Sequence, residues 1–359
     1  MSRVLLVGKG APDRGGIPTF LETLMHSRLV EEHDIRFLNV AHSSTPQGGR
    51  ATPANLGRTV RDAVAVWRAA RGRDVVHIHS SLAPAVTVLR ASVLALAGRA
   101  RGCSVVVHAH GGNIQTWLTT PWRRALMRLA MLPANRVVAV WTAGREALRT
   151  VLPDERVTLI DNGVPVDGYG TGQAWNGPPR VLYVGLLTPR KGVLDLVEAS
   201  RLLRNRGVDH EICLLGGTPD EGPEAEAQVR AGLDGSARLL GTRPPEQMPA
   251  AFAAAEVFCL PSWWEAMPLS VLEAMAAGLP VVATDVGDVG RAVEDGVTGF
   301  VVPPKDPAAL AAALEPLLTD PDRRRRMGAA GRERVISFFS ADVTAGEVSA
   351  LYAELGAAG

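Results

Sequence analysis

The sequence predicts an α/β protein with two parallel-sheet domains, and three observations carry this prediction. The chain has 359 residues, a length that suggests about two domains at roughly 150 residues each. Short runs rich in Val and Leu alternate with longer amphipathic stretches, which is the pattern of parallel strand and helix units. The alternation breaks in a region rich in glycine and proline, at residues 157–180, and then restarts.

The individual elements follow from the same patterns. Short apolar runs predict buried strands, and in the first half these lie at 3–8, 75–80, 105–110 and 136–141. Amphipathic stretches predict helices at 17–30 and 121–132. In the second half, strands are predicted within 180–187, 210–217, 256–262, 279–284 and 298–302, and helices near 193–205 and 337–355. The predicted domains therefore cover residues 1–168 and 176–337, followed by a helix at about 338–359.

Composition excludes several classes of function. The chain has 38 basic and 37 acidic residues, a balance that argues against a general nucleic-acid binder. Its three cysteines form no CxxC pair, which is typical of reduced thiols in a cytosolic protein. The apolar stretch at the start is too short for a signal peptide, and no run of about 18 apolar residues occurs. We therefore expect a cytoplasmic protein, and the richness in Ala, Arg, Gly and Pro fits a bacterial source.

The stretch PSWWEAMPLSVLEAMAAGLPVVAT places two glutamates, Glu265 and Glu273, around a predicted turn from a strand into a helix. Pro268 suits the first turn of a helix because its missing N–H costs nothing there. The amides of Leu269 and Ser270 are then free to bind phosphate at the positive end of the helix. Carboxylates on either side can accept hydrogen bonds from sugar hydroxyls. The stretch predicts a nucleotide-sugar site, and the alternative is a pair of solvated acids at a helix end.

Three further loops follow predicted strands, the place where open parallel sheets bind ligands. Arg190 and Lys191 can neutralise a diphosphate, although an exposed basic turn is the alternative. Gly15 and Gly16 allow close approach of the backbone to a phosphate or sugar, or they form a simple tight turn. His110, at the end of a buried strand, is expected to point into a cleft between the domains, with a core histidine as the alternative.

Two other patterns carry weaker predictions. Histidines two residues apart occur at 77 and 79 and at 108 and 110, a spacing that can bind metal. No cysteine or acidic cluster accompanies either pair, so we expect no metal site. The segment 121–133 combines arginines and tryptophan with Leu and Met. It predicts a possible contact with an anionic membrane surface, or an ordinary surface helix.

Taken together, these motifs resemble the GT4 family of retaining, nucleotide-sugar-dependent glycosyltransferases. The resemblance covers nearly the whole chain and rests on the E-x7-E pair, on TPRKG, on IDNGVPVD, and on EDGVTGFVVPPKDPAAL. It implies the GT-B fold, in which two Rossmann-like parallel-sheet domains face each other across an interdomain cleft. It also implies that the last helix crosses back onto the first domain.

The resemblance assigns roles to positions in both domains. The second domain would bind the donor: Glu273 through the ribose hydroxyls, Glu265 near the reacting centre, and Lys191 at the diphosphate together with the amides of Leu269 and Ser270. In the first domain, Gly16 would approach the donor and His110 would face the transferred sugar. The chain departs from the family at Leu186, where an arginine is common, so Arg190 would have to substitute. The stretch VGDVGRAVEDG also lacks the common Gly-Gly-x-Pro-Glu.

The resulting hypothesis is a metal-independent hexosyltransferase that needs no cofactor. Its partners would be a nucleotide-sugar donor, with UDP favoured, and a hydroxyl acceptor on a glycan, a glycolipid or a small natural product. A peripheral position at the inner face of the membrane is possible, and no nucleic acid is expected. The alternative is a catalytically inactive, glycosyltransferase-like binding partner. An NAD-dependent oxidoreductase is disfavoured because G-x-G-x-x-G is missing, and an exported sugar-binding protein because a signal peptide is missing.

Overall fold

The computed structural model describes residues 1–13, 15–41, 52–111, 113–170, 177–217, 223–233 and 235–357. It divides the chain into unit 1, Met1–Gly163 with Ala341–Gly359, and unit 2, Val164–Ser340. The first division falls slightly before the predicted end of the first domain at 168. The reason is that Val164 donates its N–H to Phe339 O (3.0 Å), which ties the start of the predicted linker to the end of unit 2.

Unit 1 contains a six-stranded parallel sheet with the strand order β2-β1-β3-β4-β5-β6. The strands are Arg3–Gly8 (β1), Asp34–Asn39 (β2), Val75–Ser80 (β3), Ser104–Ala109 (β4), Arg136–Ala139 (β5) and Val157–Leu159 (β6). The helices are Gly16–Met25 (α1), Leu29–Glu32 (α2), Pro53–Ala69 (α3), Ala85–Arg99 (α4), Ile114–Trp117 (α5), Pro121–Ala130 (α6) and Thr142–Arg149 (α7). The predicted helix over 17–30 is thus two helices, with a break at residues 26–28.

Unit 2 contains a second six-stranded parallel sheet, with the order β12-β11-β10-β7-β8-β9. Its strands are Arg180–Val184 (β7), Glu211–Leu215 (β8), Ala237–Gly241 (β9), Val257–Leu260 (β10), Val281–Thr284 (β11) and Gly299–Val302 (β12). Its helices are Val193–Asn205 (α8), Pro223–Ala231 (α9), Met248–Ala253 (α10), Leu269–Ala276 (α11), Val289–Ala292 (α12), Pro307–Thr319 (α13) and Pro321–Phe338 (α14). Strands β10 and β11 are fully buried, which explains why they read as continuous apolar runs.

The last helix, Ala341–Ala357 (α15), belongs to unit 1 and packs on α1, α2 and β3. Its Val348 and Tyr352 are buried in the core that also contains Phe20 of α1 and Val75 of β3. The other layer of unit 1 is formed by α3, α4 and α6, and α4 packs against both of its neighbours and against β3 and β4. The return of the C-terminal helix to the first unit, which the family resemblance implied, is therefore observed.

Candidate active site

The turn between β10 and α11 carries the predicted nucleotide-sugar motif. The strand ends at Leu260, and α11 begins at Leu269 after Pro268, whose φ of -75° and ψ of 118° are not helical. No side chain caps this helix start. Among the described residues, the amides of Leu269 and Ser270 have no backbone acceptor. The helix start therefore presents two free donors and a partial positive charge, as the sequence predicted.

Glu265 lies in this turn and is held by two neighbours. Lys191 Nζ lies 2.5 Å from Glu265 Oε1, and Ser262 Oγ donates to the same oxygen at 2.7 Å. The Glu265 and Lys191 side chains are only 10% and 14% exposed. Lys191 comes from the turn after β7, so the structure brings two of the predicted loops together. The contact also means that the cation and the carboxylate neutralise each other.

Two glycines let the surrounding backbone approach this pair. Gly192, directly after Lys191, has a φ of 66°, and a Cβ there would lie 1.9 Å from the carbonyl oxygen of Pro261. Gly287 has a φ of 56°, and its Cβ would lie 2.4 Å from the carbonyl oxygens of Glu265 and Ala266. Both positions combine a left-handed conformation with a close backbone approach, so only glycine fits. The position of Glu265 is therefore fixed from two sides.

Glu273 faces a tyrosine that the sequence analysis did not select. Tyr169 OH donates to Glu273 Oε1 at 3.1 Å, and the Tyr169 side chain is buried. Arg332 of α14 fixes this tyrosine, because its Nη1 donates both to Tyr169 O (2.7 Å) and to Ala276 O at the end of α11. Tyr169, which comes after β6 in the chain, is therefore held beside α11.

Burial changes the proton affinity of this second pair. Removal of Glu273 from water raises the pKa of its carboxyl to about 7, and the hydrogen bond from Tyr169 opposes that rise. Burial and the nearby Glu273 charge raise the pKa of Tyr169, which therefore stays protonated as a donor. Glu273 is consequently an acid that titrates near neutral pH, as binding sites often show.

The remaining cation of the predicted loop is Arg190. Its backbone carbonyl accepts from Trp263 N at 2.8 Å, which ties the loop to the Glu265 turn. Its positive charge opposes the rise that burial imposes on the pKa of Tyr183. The hydroxyl of Tyr183 donates to Leu186 O at 2.8 Å, so Tyr183 holds the backbone of this loop at Leu186. A direct role of Arg190 at a diphosphate stays a prediction.

In unit 1, the predicted glycines begin α1. Gly15 precedes the helix with a φ of 125°, a conformation that favours glycine, and Gly16 is its first residue. A Cβ added at Gly16 would meet no atom within 4 Å. The fold itself therefore does not require glycine at position 16. This leaves room for the predicted approach of a ligand, which stays a prediction.

His110 follows β4 and belongs to a group of four histidines on one face of the sheet. His79 Nδ1 lies 2.8 Å from His110 Nε2, and His77 Nε2 lies 3.2 Å from His108 Nδ1. These two hydrogen-bonded pairs stack on each other, with ring centroids 4.3 Å apart between His77 and His79 and 4.4 Å between His108 and His110. Phe20 packs against the stack. His110 is thus partly buried in an ordered cluster.

The same cluster raises the question of a metal. Nitrogen atoms of His77, His79 and His108 lie within 4.8 Å of one another, and all three residues are buried. A metal binds the in-plane lone pair of an imidazole. Within the cluster, His77 already uses Nδ1 for Tyr352 OH (2.6 Å) and Nε2 for His108. A metal on His77 would have to replace one of these hydrogen bonds, whereas Nε2 of His79 and Nε2 of His108 have no hydrogen-bond partner among the described residues. The prediction of no metal stays a prediction.

The predicted residues therefore fall into two sets. Unit 2 holds Glu265, Lys191, Glu273, Arg190 and the helix start, while unit 1 holds His110 and the glycine pair. Each set is described within its own unit, and the predicted cleft between the domains stays a prediction. We expect acceptor recognition in the loops around residues 40–60 and 112–125, of which residues 42–51 and Gly112 lie outside the described residues, as do residues 171–176 of the region rich in glycine and proline.

Sequence reasoning missed three partners: Ser262, Tyr169 and His79. Ser262 lies three residues before Glu265, a spacing typical of a side chain that hydrogen-bonds locally. His79 was visible as part of an H-x-H pair, but its contact to His110 depends on the pairing of β3 with β4. Tyr169 lies 104 residues from Glu273, and no local pattern connects the two.

Comparisons with known proteins identify the class. The chain has the fold of a sucrose-phosphate synthase from Thermosynechococcus elongatus, with a TM-score of 0.78, 23% identity and full coverage of both chains. It is also similar to Anabaena Alr3699/HepE, solved with UDP and glucose, with a TM-score of 0.76 and 18% identity over 98% of this chain and 100% of that one. The protein therefore has an α/β fold of the GT-B type.

Sequence comparisons then give the family. The family model Glycosyltransferase Family 4 matches residues 8–167, and Glycosyl transferases group 1 matches residues 178–320. A phosphatidyl-myo-inositol mannosyltransferase of Mycobacterium leprae is 30% identical over 301 residues, which are 81% of this chain and 76% of the relative. An α-D-kanosaminyltransferase of Streptomyces kanamyceticus is 31% identical over 240 residues, 67% of this chain but only 60% of the relative. The chain belongs to the group 1, family 4 glycosyltransferases.

Proposed function

We propose that this chain transfers a sugar from a nucleoside diphosphate sugar to a hydroxyl acceptor with retention of the anomeric configuration. The observation that supports this proposal best is the convergence at the start of α11. There the free amides of Leu269 and Ser270 lie in the same turn as Glu265, which contacts Lys191. This arrangement combines anion-binding donors, a cation and a carboxylate in one unit.

The free donors are suited to the charge that develops on the leaving group. When the bond between the sugar C1 and the phosphate oxygen breaks, its electron pair goes to the diphosphate. Helix amides and a buried lysine can stabilise that charge without reorganising during the reaction. Because Lys191 is already paired with Glu265, a bound diphosphate would compete for the lysine and release the carboxylate toward the donor sugar.

We assign the acceptor step to attack from the face that the diphosphate leaves. The acceptor oxygen forms the new bond to C1, and its proton passes to the departing phosphate oxygen. This route needs no protein nucleophile and accounts for retention. In this scheme Glu265 acts near the reacting centre, His110 contacts the transferred sugar, and Glu273 accepts hydrogen bonds from the ribose.

Three finer points belong to the same proposal. UDP is the favoured donor nucleotide, and the reaction needs no divalent metal, because helix amides and lysine take the place of a metal at the diphosphate. The acceptor is a glycan, a glycolipid or a small natural product, reached in the cytoplasm or at the inner face of the membrane. None of the helices in the described ranges is long and apolar enough to cross a bilayer.

The test is a panel of UDP-, GDP-, ADP- and dTDP-sugars, assayed with purified protein for both binding and turnover. We expect one nucleotide to bind and its sugar to be hydrolysed slowly or transferred, at equal rates with EDTA and with added Mn²⁺. Binding without any turnover would favour the inactive binding partner. Activity that is lost in EDTA and restored by Mn²⁺ would refute the metal-free mechanism.

A further inference from the structure

Large hydrophobic side chains that are exposed concentrate on one layer of unit 1. Among the described residues, fifteen large hydrophobic side chains are exposed, and ten of these lie on α3, on α4, or in the segment 122–132 around α6. Examples are Leu56, 68% exposed, Leu96, 55% exposed, and Leu129, 63% exposed. Scattered single exposed residues are normal on a protein surface, but a concentration on neighbouring helices indicates an interaction site.

These residues lie on the outer faces of helices that pack side by side. Leu56 and Val60 are one turn apart on α3, and Leu89 and Leu96 are two turns apart on α4, so each pair lies on one helix face. The opposite faces, with Val66 on α3 and with Val88 and Leu94 on α4, are buried. Since α4 packs against both α3 and α6, the exposed side chains form one surface, which we call the outer layer face.

The charge of this layer is strongly one-sided. Helices α3, α4 and α6 contain eight arginines, whereas their single acid is Asp62. Asp62 is buried and pairs with Arg90, with Nη2 to Oδ2 at 2.9 Å. No acid of these three helices is therefore exposed. The chain as a whole is nearly neutral, at +1, so the positive charge is a local property of this layer.

We propose that the outer layer face docks on a membrane surface of anionic lipids. The exposed apolar side chains would enter the headgroup region, and the arginines would pair with lipid phosphates. A second copy of this chain is a poorer occupant, because two such faces would oppose positive charge with positive charge. The membrane contact proposed above thus extends from α6 to α3 and α4, and its lipids are anionic. This contact does not depend on transferase activity.

Vesicle binding tests the proposal with the full chain. We expect co-sedimentation with vesicles that contain phosphatidylglycerol, much weaker binding to pure phosphatidylcholine, and loss of binding in high salt. Equal binding to both vesicles, or no binding to either, would overturn it. A dimer in light scattering that Leu56→Ser dissociates would assign the outer layer face to self-association instead.

Matched variants locate the contact. Each arginine near an anionic surface contributes about a fivefold change in affinity, so Arg61→Gln with Arg68→Gln should weaken binding by roughly tenfold or more. Leu56→Ser with Leu129→Ser should weaken it by about tenfold. The control pairs lie on α14 of unit 2: Arg325→Gln with Arg326→Gln for charge, and Ile336→Ser with Phe338→Ser for apolar exposure. Equal losses in the control pairs would refute the assignment to this face.

A different observation supports a second inference, which concerns the position of His110. His79 Nε2 and His108 Nε2 are buried and have no hydrogen-bond partner in the part of the chain that the structure describes. An unpaired buried N–H is rarer in proteins than an unpaired acceptor, so each bare nitrogen is best left without a proton. His79 then carries its proton on Nδ1 and donates it to His110 Nε2 at 2.8 Å.

We infer that His79 is a positioning residue that holds His110 as the Nδ1–H tautomer, with that N–H free to donate to an oxygen of the ligand. A neutral imidazole has one donor and one acceptor nitrogen, so fixing Nε2 as an acceptor fixes Nδ1 as a donor. The ligand, a sugar hydroxyl or phosphate oxygen, rests on the proposed function, whereas the tautomer does not.

Long-range ¹H–¹⁵N NMR of the histidine rings tests this inference without any substrate. We expect His110 protonated on Nδ1 in the wild type, converted toward Nε2–H in His79→Leu, and retained in His79→Asn, whose amide can still donate. His77→Leu is the matched control, because it is equally buried but bonds to His108. A His110 protonated on Nε2 in the wild type, or unchanged in His79→Leu, would overturn the inference. A changed tautomer with unchanged kcat would support the positioning and refute the role of His110 in transfer.

Discussion

Burial shifts the pKa values of the titratable groups at the two candidate sites in opposite directions. In unit 1, burial lowers the pKa of His77 and His110 to about 3, so histidines that usually titrate near neutrality stay uncharged. In unit 2, burial raises the pKa of Glu273 to about 7, so a carboxyl group that is usually ionised titrates near neutrality. The same cause, removal from water, has opposite effects because it disfavours the charged form of each group.

This difference has a consequence for function. Unit 1 offers neutral donors and acceptors of fixed geometry, whereas unit 2 combines an ion pair, Lys191 with Glu265, and a carboxyl of adjustable charge. Under the proposed function, the charged diphosphate would bind to unit 2, and the uncharged hydroxyls of a sugar or acceptor would bind to unit 1. The predictions below test this division, beginning with the largest expected effect.

Glu265→Gln should cause the largest loss. The substitution keeps the shape of the side chain but removes the charge that Lys191 and Ser262 hold in place. Loss of one group that stabilises a transition state typically lowers kcat by roughly 10²–10³-fold. Steady-state kinetics measures the effect. Glu315→Gln, which breaks an exposed ion pair with Arg206 (2.7 Å), is the control and should keep full activity. Unchanged kcat in Glu265→Gln would remove this residue from the reaction.

Lys191→Ala should weaken nucleoside diphosphate binding by on the order of 10- to 100-fold, because a hydrogen bond to a charged group contributes roughly 1.5–3 kcal/mol. Binding of the bare nucleoside should barely change, and calorimetry with both ligands separates the two. The substitution leaves Glu265 buried without its cation, which destabilises the fold. Lys191→Ala with Glu265→Gln controls for that loss, since no unpaired charge remains. Equal diphosphate affinity in Lys191→Ala and the wild type would exclude this loop from the site.

Arg190 gives the matched comparison within the same loop. If it substitutes for the arginine that the family commonly has at position 186, Arg190→Ala should also weaken diphosphate binding. If Arg190→Ala has no effect, Lys191 is the cation of this loop that binds the diphosphate, and Arg190 does not substitute for the arginine missing at position 186.

Much of the fold follows from local sequence signals. The predicted helix at 193–205 is observed as α8 with the same bounds. Gly278, just after the end of α11, has the left-handed φ of 74° that is typical of a glycine that stops a helix. Strands β1 and β3 also match their predicted bounds. These elements are decided by hydrophobic period and by glycine and proline, which act within a few residues. Strand ends are less well predicted, as for β5, which stops at Ala139 rather than at 141.

The partners within the site could not be predicted in the same way. That Glu265 and Lys191 lie close together follows from the adjacency of β10 and β7 in the sheet, which no local pattern encodes. The contact of Tyr169 with Glu273 depends on Arg332, a residue of a helix far along the chain. The raised pKa of Glu273 results from burial by these long-range neighbours, so it could not be read from the spacing of the two glutamates.

Glu273→Gln should make donor binding independent of pH. An ionised carboxylate accepts hydrogen bonds from ribose hydroxyls more strongly than a protonated one. Wild-type affinity for the nucleotide should therefore rise as pH increases through about 7 and level off above it. At high pH, Glu273→Gln should bind the nucleotide roughly tenfold more weakly than the wild type, a loss of about 1.4 kcal/mol in binding free energy. Isothermal titration calorimetry from about pH 5.5 to 8.5, roughly 1.5 pH units on either side of the pKa, measures this. A pH-dependent variant would assign the titration to another group.

The same group should affect stability in the opposite direction. The folded-state pKa of Glu273 lies above the usual glutamate pKa of 4.5, so the unfolded state loses the proton first as pH rises. Stability therefore falls between the two values, and the cost is fully present above about pH 7. Glu273→Gln should raise Tm relative to the wild type at pH 8 and have little effect at acidic pH. An equal Tm difference at both pH values would show that packing, not charge, is responsible.

Gly16→Ala should have the smallest effect, and it tests the contribution of unit 1. An alanine Cβ at this position meets no atom within 4 Å in the protein, so the fold should accept it, and alanine favours the helix that begins there. If the donor approaches this backbone, the added methyl group should weaken donor binding by about fivefold, the low end of an overpacking cost. Gly57→Ala is the matched control, because it is also a helical glycine with open space around it. It should raise Tm slightly and leave KM unchanged. A KM for Gly16→Ala equal to that of the control would mean that the start of α1 does not contact the donor. His110 would then be the remaining residue through which unit 1 is proposed to bind the sugar.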